Sequence, residues 1–262
     1  MAAERQALVN KDAQSAAVPQ APWAVARPSL RDPSRRFPQA IAHRGAKVDW
    51  PENTMAAFRG AVAAGAHAIE TDVHLSSDGI AVISHASFLQ AARSQLPTYP
   101  LAHISASLLY SHHFLKIPNL GFNLNQNTLV GPSGKFFSRE LQRTDKLLMT
   151  WTVNQPRRME WCIRQNLGHP RLPNRNVQGP PLIDGVITDD PRLYLEVCQK
   201  FEDEMDGKLV RSDLALTQKV RNKAETVAFV LVTQALMIVY HVVRRMQGKF
   251  DFLKDRRTLD KR

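Results

Sequence analysis

Short apolar runs that end in a polar or ionisable residue recur along the chain and alternate with segments of helical periodicity. Ala40-Ile41-Ala42 ends in His43, Ala68-Ile69 is followed by Glu70, and the run from Ile80 ends in His85. Strands of parallel sheets are buried on both faces and read as such runs, and their functional groups lie at the carboxyl ends. The pattern therefore predicts an α/β fold, either a parallel barrel or a doubly wound sheet.

The 262 residues are enough for one α/β domain with appendages. Residues 1–37 are rich in Ala, Pro, Gln, Ser and Arg, which predicts a disordered N-terminal extension. We expect the folded domain to occupy residues 38–205 and a linker to occupy residues 206–225.

Residues 226–243 are almost wholly apolar and contain no charged side chain, whereas basic residues lie on both sides of them. About 18 apolar residues is the short end of a membrane-crossing helix. We predict a transmembrane helix here, followed by a basic tail over residues 244–262; the alternative is a core or amphipathic helix outside the barrel. No secretory signal peptide is recognisable at the start, so we expect an intracellular membrane, a C-terminal anchor and a cytosolic catalytic domain.

The net charge is +11, and the basic residues gather towards the two ends of the chain. Such ends fit either nucleic acid or an anionic membrane surface. Because only 7% of the residues are aromatic and no nucleic-acid-binding motif accompanies the charge, we predict no nucleic-acid binding.

Glu70 and Asp72 are two residues apart on a predicted strand, so both side chains point to the same face. Two such carboxylates suit a hard divalent cation, Ca²⁺ or Mg²⁺, although a lone pair of this kind is more often simply solvated. Arg44 supplies a permanent charge for a phosphate oxygen. His43 and His85 can divide the acid and base roles of phosphodiester cleavage.

Together these motifs resemble the glycerophosphodiester phosphodiesterase family, and the similarity runs from about Pro38 to Phe201. Later segments are most similar to its fungal phosphatidylglycerol phospholipase C-like branch. The motifs, in chain order, are His43-Arg44-Gly45, Pro51-Glu52-Asn53-Thr54, Glu70-Thr71-Asp72-Val73, Ser77-Asp78-Gly79, Trp151-Thr152-Val153-Asn154 and Gly185-Val186-Ile187-Thr188-Asp189-Asp190-Pro191.

The resemblance implies a (β/α)₈ TIM barrel and metal-dependent hydrolysis of a glycerophosphodiester or glycerophospholipid, with phosphatidylglycerol as the substrate of the branch. It implies that His43 and His85 are the acid/base pair and that Glu70 and Asp72 bind the metal. It further implies that the phosphate end of the site is organised by Arg44 and Glu52 and that the pocket is lined by Trp151.

The chain departs from the family pattern after His85, where about two βα units and a third acidic metal ligand are missing. The similar region has about 165 residues, against about 250 in a typical barrel. We therefore expect an incomplete barrel with an internal deletion, inactive or nearly so. The alternative to an enzyme is a non-catalytic, membrane-associated pseudoenzyme or the product of mis-splicing.

Overall fold

The computed structural model describes residues 25–75, 81–83, 101–117, 120–144, 146–167, 181–210 and 216–246. Its strands are β1 (Arg27–Pro28), β2 (Arg36–Phe37), β3 (Gln39–His43), β4 (Ala68–Glu70), β5 (Val73–Leu75), β6 (Ala81–Ile83), β7 (Leu101–Ser105), β8 (Leu120–Asn125), β9 (Leu148–Trp151) and β10 (Gly185–Thr188). Its helices are α1 (Met55–Ala63), α2 (Leu108–His112), α3 (Gln126–Leu129), α4 (Pro132–Gln142), α5 (Pro156–Leu167), α6 (Pro191–Met205) and α7 (Leu216–Met246).

Six of these strands form one parallel sheet in the order β4-β3-β10-β9-β8-β7, with helices in the connections between them. This is the predicted α/β architecture of an incomplete (β/α)₈ barrel with a C-terminal apolar helix, and the prediction is confirmed. Within the described residues β4 and β7 are the end strands. A closed barrel has eight strands, so about two more would be needed to join these ends.

The strands β5 and β6 pair antiparallel with each other in a separate two-stranded sheet. The expectation that the run leading to His85 is another parallel strand is therefore wrong for its described part, Ala81–Ile83. Five residues separate β5 from β6, and a parallel connection needs a crossover of about a dozen residues or more. The short connection permits only the antiparallel pairing.

The core lies between the parallel sheet and the helices that cover it. All four residues of β10 and the first four of β3 are buried, which explains why these strands read as unbroken apolar runs. The strand β8 contributes the fully buried Phe122 to the core, and the helices contribute the buried Met159, Ile163, Tyr194 and Phe201. At the end of β3 the burial stops, and His43 is the first partly exposed residue.

Residues 25–37, which we expected to be disordered, are ordered against α6. The strands β1 and β2 pair antiparallel there. Between them, Arg31 binds Asp203 at 2.6 Å and Arg35 binds Asp206 at 2.5 Å. The hydrogen bond from Arg35 lowers the pKa of Asp206 to about 2. The predicted boundary at residue 37 is therefore too late, because basic residues that looked like a disordered end pair with acidic residues of α6.

The helix α7 contains the segment 226–243 that we expected to cross a membrane, and it begins ten residues earlier, within the predicted linker. In the described part of the chain it is the one helix long and apolar enough to span a bilayer, judged by length and composition alone. The candidate span runs from Val220 to Tyr240 and has a mean hydropathy of 1.4. None of the residues in its most apolar part is buried.

His103 gives the fold a specific sensitivity to acid. Its ring stacks on Phe114 with centroids 4.5 Å apart, and burial lowers the pKa of His103 to about 4. An unfolded histidine has a pKa of about 6.5, so the unfolded chain takes up a proton first as the pH falls. We expect this residue alone to reduce the free energy of unfolding by about 3 kcal/mol between pH 7 and pH 4.

Urea denaturation of the parent and of His103→Phe at several pH values measures this contribution. The difference in unfolding free energy between the two proteins should shift in favour of the variant as the pH falls from about 6.5 to about 4. A difference that stays constant across this range would show that His103 is not held neutral by its surroundings.

Candidate active site

The carboxyl ends of three neighbouring strands bring acidic and imidazole side chains to one edge of the sheet. In the register of β3 and β4, His43 lies opposite Glu70. Asp189 directly follows β10, the neighbour of β3 on its other side. Polar groups at this edge lie where α/β folds place their active sites.

His43 is fixed by a hydrogen bond at Nδ1, and its Nε2 atom faces Glu70. Its Nδ1 atom lies 2.6 Å from Oδ1 of Asp189, and its Nε2 atom lies 4.0 Å from Oε2 of Glu70. The ionised Asp189 accepts a hydrogen bond, so the contact favours the tautomer with the proton on Nδ1. In that tautomer the lone pair of Nε2 points towards the side of Glu70.

The orientation of Asp189 is fixed in turn by Asn154. The amide nitrogen Nδ2 of Asn154 donates to Oδ2 of Asp189 at 2.6 Å. The amide oxygen of Asn154 accepts from the backbone N–H of Asp189 at 3.0 Å and from the hydroxyl of Thr188 at 3.2 Å. Desolvation acts to raise the pKa of Asp189, but the hydrogen bonds from His43 and Asn154 outweigh it and the pKa is lowered. Asp189 is therefore an ionised acceptor at neutral pH.

A tight turn after β3 aims Arg44 into the site. Arg44 adopts a left-handed φ of 59°, and Gly45 follows with a φ of 95°. A Cβ atom at Gly45 would lie 2.6 Å from the Cβ of Ala57, so only glycine fits there without displacing α1. The backbone of Arg44 is fixed by Glu70, whose carbonyl accepts its N–H at 2.7 Å, and by Asn53, whose N–H donates to its carbonyl at 2.9 Å.

The Arg44 guanidinium lies between two carboxylates. It donates to Oε1 of Glu52 at 2.8 Å, and its Nε lies 2.9 Å from Oδ2 of Asp72. Desolvation acts to lower the pKa of Arg44, but the two carboxylates outweigh it and the pKa is raised. Glu52 also binds Lys47 at 3.1 Å, and hydrogen bonds from Lys47 and Arg44 lower the pKa of Glu52. The site thus contains two permanent cations beside the imidazole.

Glu70 and Asp72 have the chemistry of hard-cation ligands. Their side chains are 24% and 21% exposed, and one oxygen of each carboxylate, Oε2 of Glu70 and Oδ2 of Asp72, is buried. Oδ2 of Asp72 is buried and makes no hydrogen bond within the described residues, because the nearby Nε of Arg44 is not aligned with it. Among those residues no group of three or more His, Cys, Asp or Glu side chains is placed to hold a metal.

The structure brings together five of the predicted site residues, His43, Arg44, Glu52, Glu70 and Asp72. Trp151 ends β9, on the other side of β10 from this cluster, and its indole N–H donates to the carbonyl of Asn123 at 3.1 Å. His85 lies outside the described residues.

Sequence reasoning missed Lys47, Asn154 and Asp189 as site residues. Asn154 and Asp189 are at the ends of the motifs that resemble the family, so their strand-end position was a usable signal. Lys47 had no such signal, because only the turn after β3 brings it near Glu52.

A profile of the glycerophosphoryl diester phosphodiesterase family matches residues 43–94. The chain is 38% identical over 84 residues to glycerophosphodiester phosphodiesterase domain-containing protein 4 of Macaca fascicularis, covering 32% of this chain and 13% of that protein. It is 54% identical over 46 residues to glycerophosphodiester phosphodiesterase 1 of Homo sapiens, covering 18% of this chain and 14% of that protein. These alignments span about one seventh or less of the relatives' lengths.

The chain is also similar to the crystal structure of a glycerophosphodiester phosphodiesterase from Thermotoga maritima, with a TM-score of 0.39 and 18% identity over 61% of this chain and 98% of that one. The matched segment 43–94 begins at His43 and contains Arg44, Glu70 and Asp72 of the site. The similarity to the glycerophosphoryl diester phosphodiesterase family therefore lies in the segment that carries most of the candidate site.

Proposed function

We propose that this chain binds a glycerophosphodiester at the carboxyl edge of its sheet and hydrolyses the phosphodiester bond. The observation that carries the proposal is the meeting of His43, Arg44, Glu70, Asp72 and Asp189 at the ends of β3, β4 and β10. One imidazole, one guanidinium and several carboxylates at one strand edge are the groups that phosphodiester cleavage needs.

His43 is the proposed proton acceptor. Asp189 holds the proton on Nδ1, which leaves Nε2 able to take a proton from the oxygen that attacks phosphorus. The ion pair with Asp189 then stabilises the protonated ring. We assign the complementary role, donation of a proton to the leaving oxygen, to His85 from the family resemblance.

Arg44 and Lys47 are the proposed phosphate-binding side chains. A guanidinium has five N–H donors, and the contacts with Glu52 and Asp72 leave some of them for a phosphate oxygen. Glu52 lies between Arg44 and Lys47 and holds both cations on the same side of the site. Its role is therefore to position the two charges.

A divalent cation fits the electrostatics of the site. Four carboxylates (Glu52, Glu70, Asp72, Asp189) against two cations (Arg44, Lys47) leave two excess negative charges, which would repel a phosphodiester anion. We propose that Glu70 and Asp72 hold Mg²⁺ in preference to Ca²⁺, because Mg²⁺ commonly uses one or two carboxylates and completes its shell with water and substrate oxygens. When bound, the cation neutralises charge that develops on the phosphoryl oxygens.

The proposed substrate is phosphatidylglycerol or a related glycerophospholipid at an intracellular membrane, with the domain on the cytosolic side. The exposed apolar surface of α7 supports membrane attachment, and the similarity to the fungal branch supports the lipid. We also propose that the chain has lost about two βα units between β4 and β7, because these strands end the described sheet and an eight-stranded barrel would have two strands between them.

A second candidate function is that of a non-catalytic lipid-binding protein. The position of Arg44 favours it, since the guanidinium lies 2.9 Å from the Asp72 carboxylate that a metal would need. An arginine in this place can substitute for the missing cation charge without supplying its chemistry. The two candidates differ in whether a divalent cation binds at Asp72.

Calorimetric titration with Mg²⁺ and with Ca²⁺, together with hydrolysis of glycerophosphoglycerol and phosphatidylglycerol, separates the candidates. If the site is catalytic, we expect metal binding that Asp72→Asn weakens at least about tenfold, and hydrolysis that depends on the metal. Glu196→Gln on the exposed surface of α6 is the matched control, since it removes the same charge far from the sheet edge.

Metal binding without turnover would leave the chain as an inactive relative that keeps its ligands. Neither metal binding nor turnover, in a protein that still binds lipid vesicles, would establish the second candidate. Equal metal affinity in Asp72→Asn and the parent would refute the assignment of Asp72 as a ligand.

A further inference from the structure

A cavity of about 730 Å³ lies where α2 and α4 face the second half of α7. Its volume is within the range of about 300–1,000 Å³ that small-molecule sites occupy. Leu109 and Phe136 line it while remaining 68% and 65% exposed, so the cavity is an open groove with an apolar rim. The wall formed by α7 consists of Gln234, Ile238 and Val242. We call this feature the α7 groove.

Several polar groups of α7 face the domain. The backbone carbonyl of Asn222 and the hydroxyl of Thr226 accept from Arg157 of α5 at 2.8 Å and 3.1 Å. Arg158 lies over the ring of Phe229 at 4.6 Å, and Gln234 faces the groove. The row of residues 222, 226, 230, 234, 238 and 242 contains three polar and three apolar residues, and it winds around the helix by about 40° at each step of four residues.

The remaining surface of α7 is apolar and uncovered. Its exposed side chains include Val227, Leu231, Val232, Leu236, Val239 and Val243, with exposures from 43% to 65%. A surface helix of a protein in water has the opposite arrangement, with its apolar stripe against the core. A contiguous apolar surface of this kind indicates contact with hydrocarbon or another apolar partner.

A basic stripe on α4 indicates that the partner of this apolar surface is negatively charged. Lys135 and Arg139 are spaced by four, are both exposed, and flank Phe136 at the rim of the groove. The acidic neighbour Glu140 lies on the side of α4 towards α2, with its Oε2 atom 3.2 Å from Nε2 of His112. Exposed basic side chains next to an exposed aromatic and an apolar helix match a bilayer that carries anionic headgroups.

The lining of the groove includes Ala106 and Ser107, which directly follow the carboxyl end of β7, at the same edge of the sheet as the candidate active site. The helix α2 follows the carboxyl end of β7, and α3 and α4 follow the carboxyl end of β8. Four strand-to-strand steps separate β7 from β3, which is roughly 19 Å or less at ~4.8 Å per step. A bilayer docked at the groove would therefore lie close to the edge that carries His43 and Glu70.

We propose that the α7 groove and the basic stripe of α4 form a docking surface for an anionic phospholipid bilayer, with one acyl chain in the groove and headgroup phosphates on Lys135 and Arg139. The inference rests on the proposed membrane attachment and specifies its geometry: α7 lies against the domain and in the membrane surface, so that the catalytic edge faces the lipid.

A tryptophan at the rim reports the docking directly. Phe136→Trp in the full-length chain should show blue-shifted emission with vesicles of phosphatidylglycerol and phosphatidylcholine, after subtraction of the parent spectrum. Lipids brominated on the acyl chains should quench this emission at least twofold. Val62→Trp, placed on the 70% exposed Val62 of α1, should show neither effect.

Vesicle flotation tests the basic stripe. The double variant Lys135→Ala/Arg139→Ala should partition about thirtyfold more weakly into phosphatidylglycerol-containing vesicles, from about 1 kcal/mol for each basic side chain at an anionic surface. The control double variant Arg59→Ala/Lys200→Ala removes two exposed charges from α1 and α6 and should bind like the parent.

A parent that does not float would refute membrane attachment and the docking surface together. A parent that floats while Phe136→Trp is not quenched and the double variant binds normally would refute the docking surface alone, and would leave α7 as a simple anchor. Equal binding of the parent to neutral and anionic vesicles would refute the role of the basic stripe.

Discussion

Asp189→Asn is expected to lower kcat/KM for a glycerophosphodiester by about 10³- to 10⁴-fold, the size of effect that follows loss of the orienting aspartate in a catalytic triad. The reason is the fixed orientation of Asn154, whose oxygen already accepts from the backbone of residue 189 and from Thr188. The Nδ2 atom of Asn154 must therefore face residue 189. The amide introduced at position 189 would turn its own oxygen towards this Nδ2 atom. The new NH₂ group would then face His43.

An NH₂ group facing Nδ1 forces His43 to accept a hydrogen bond there, so the ring proton moves to Nε2. The ring in that state has no lone pair at Nε2 for the attacking oxygen. Nitrogen-15 chemical shifts of His43 report the tautomer whether or not the chain turns over substrate. We expect the proton on Nδ1 in the parent and on Nε2 in Asp189→Asn.

Asp49→Asn is the matched control, because Asp49 is an exposed carboxylate paired with Arg192 at 3.5 Å and the substitution is chemically the same. It should change neither the tautomer nor kcat/KM by more than about twofold. If Asp189→Asn keeps the proton of His43 on Nδ1, the contact at 2.6 Å does not set the tautomer and the assignment of Asp189 as a positioning residue fails.

The parallel sheet could be predicted from the sequence because its strands are buried on both faces. The runs Ala40–Ala42 and Val186–Thr188 contain only residues that tolerate complete burial, and the polar residue after each run marks the sheet edge. The start of α1 could also be predicted, because threonine is a residue type that caps helix N-termini. In the structure the hydroxyl of Thr54 accepts the N–H of Ala57 at 3.1 Å. These features depend on local pattern and on burial alone.

Features that depend on distant charge pairing could not be predicted in this way. Arg31 and Arg35 looked like part of a disordered basic end, yet Asp203 and Asp206 lie more than 160 positions away in the sequence and bind them. The partner of an exposed arginine is not encoded in its neighbours. Lys47 differs, because its partner Glu52 is near in sequence and only the conformation of the turn after β3 brings the two side chains together.

The position of Gln234 on α7 shows a third limit of prediction from sequence. Composition identifies residues 226–243 as an apolar segment, but it includes the polar Gln234, which is unfavourable in a membrane span. In the structure Gln234 lies on the side of the helix that faces α4, where it lines the groove and is not on the outer surface. Whether a polar residue weakens a membrane interpretation thus depends on which side of the helix meets the protein, and that is a tertiary property.

Asn166→Ala is expected to lower the free energy of unfolding by about 3–5 kcal/mol, a large share of the stability of a domain of this size. The side-chain oxygen of Asn166 accepts from the backbone N–H groups of Leu182 and Ile183, both at 2.9 Å. Its nitrogen donates to the carbonyls of Ile183 at 2.8 Å and Arg36 at 3.3 Å. One amide therefore connects α5 to the chain entering β10 and to the end of β2.

Truncation to alanine leaves these backbone groups without partners in a place that water reaches poorly, because Asn166 is only 8% exposed. Each buried polar group that loses its partner costs about 1–3 kcal/mol, which is why the loss exceeds that of an ordinary surface change. Gln165→Ala, one position earlier, removes a single bond to the carbonyl of Trp161 and should cost about 0.5 kcal/mol or less. Urea denaturation measures both variants. If Asn166→Ala loses no more stability than Gln165→Ala, then water or a shift of the backbone replaces the four bonds, and Asn166 does not hold α5 to the sheet.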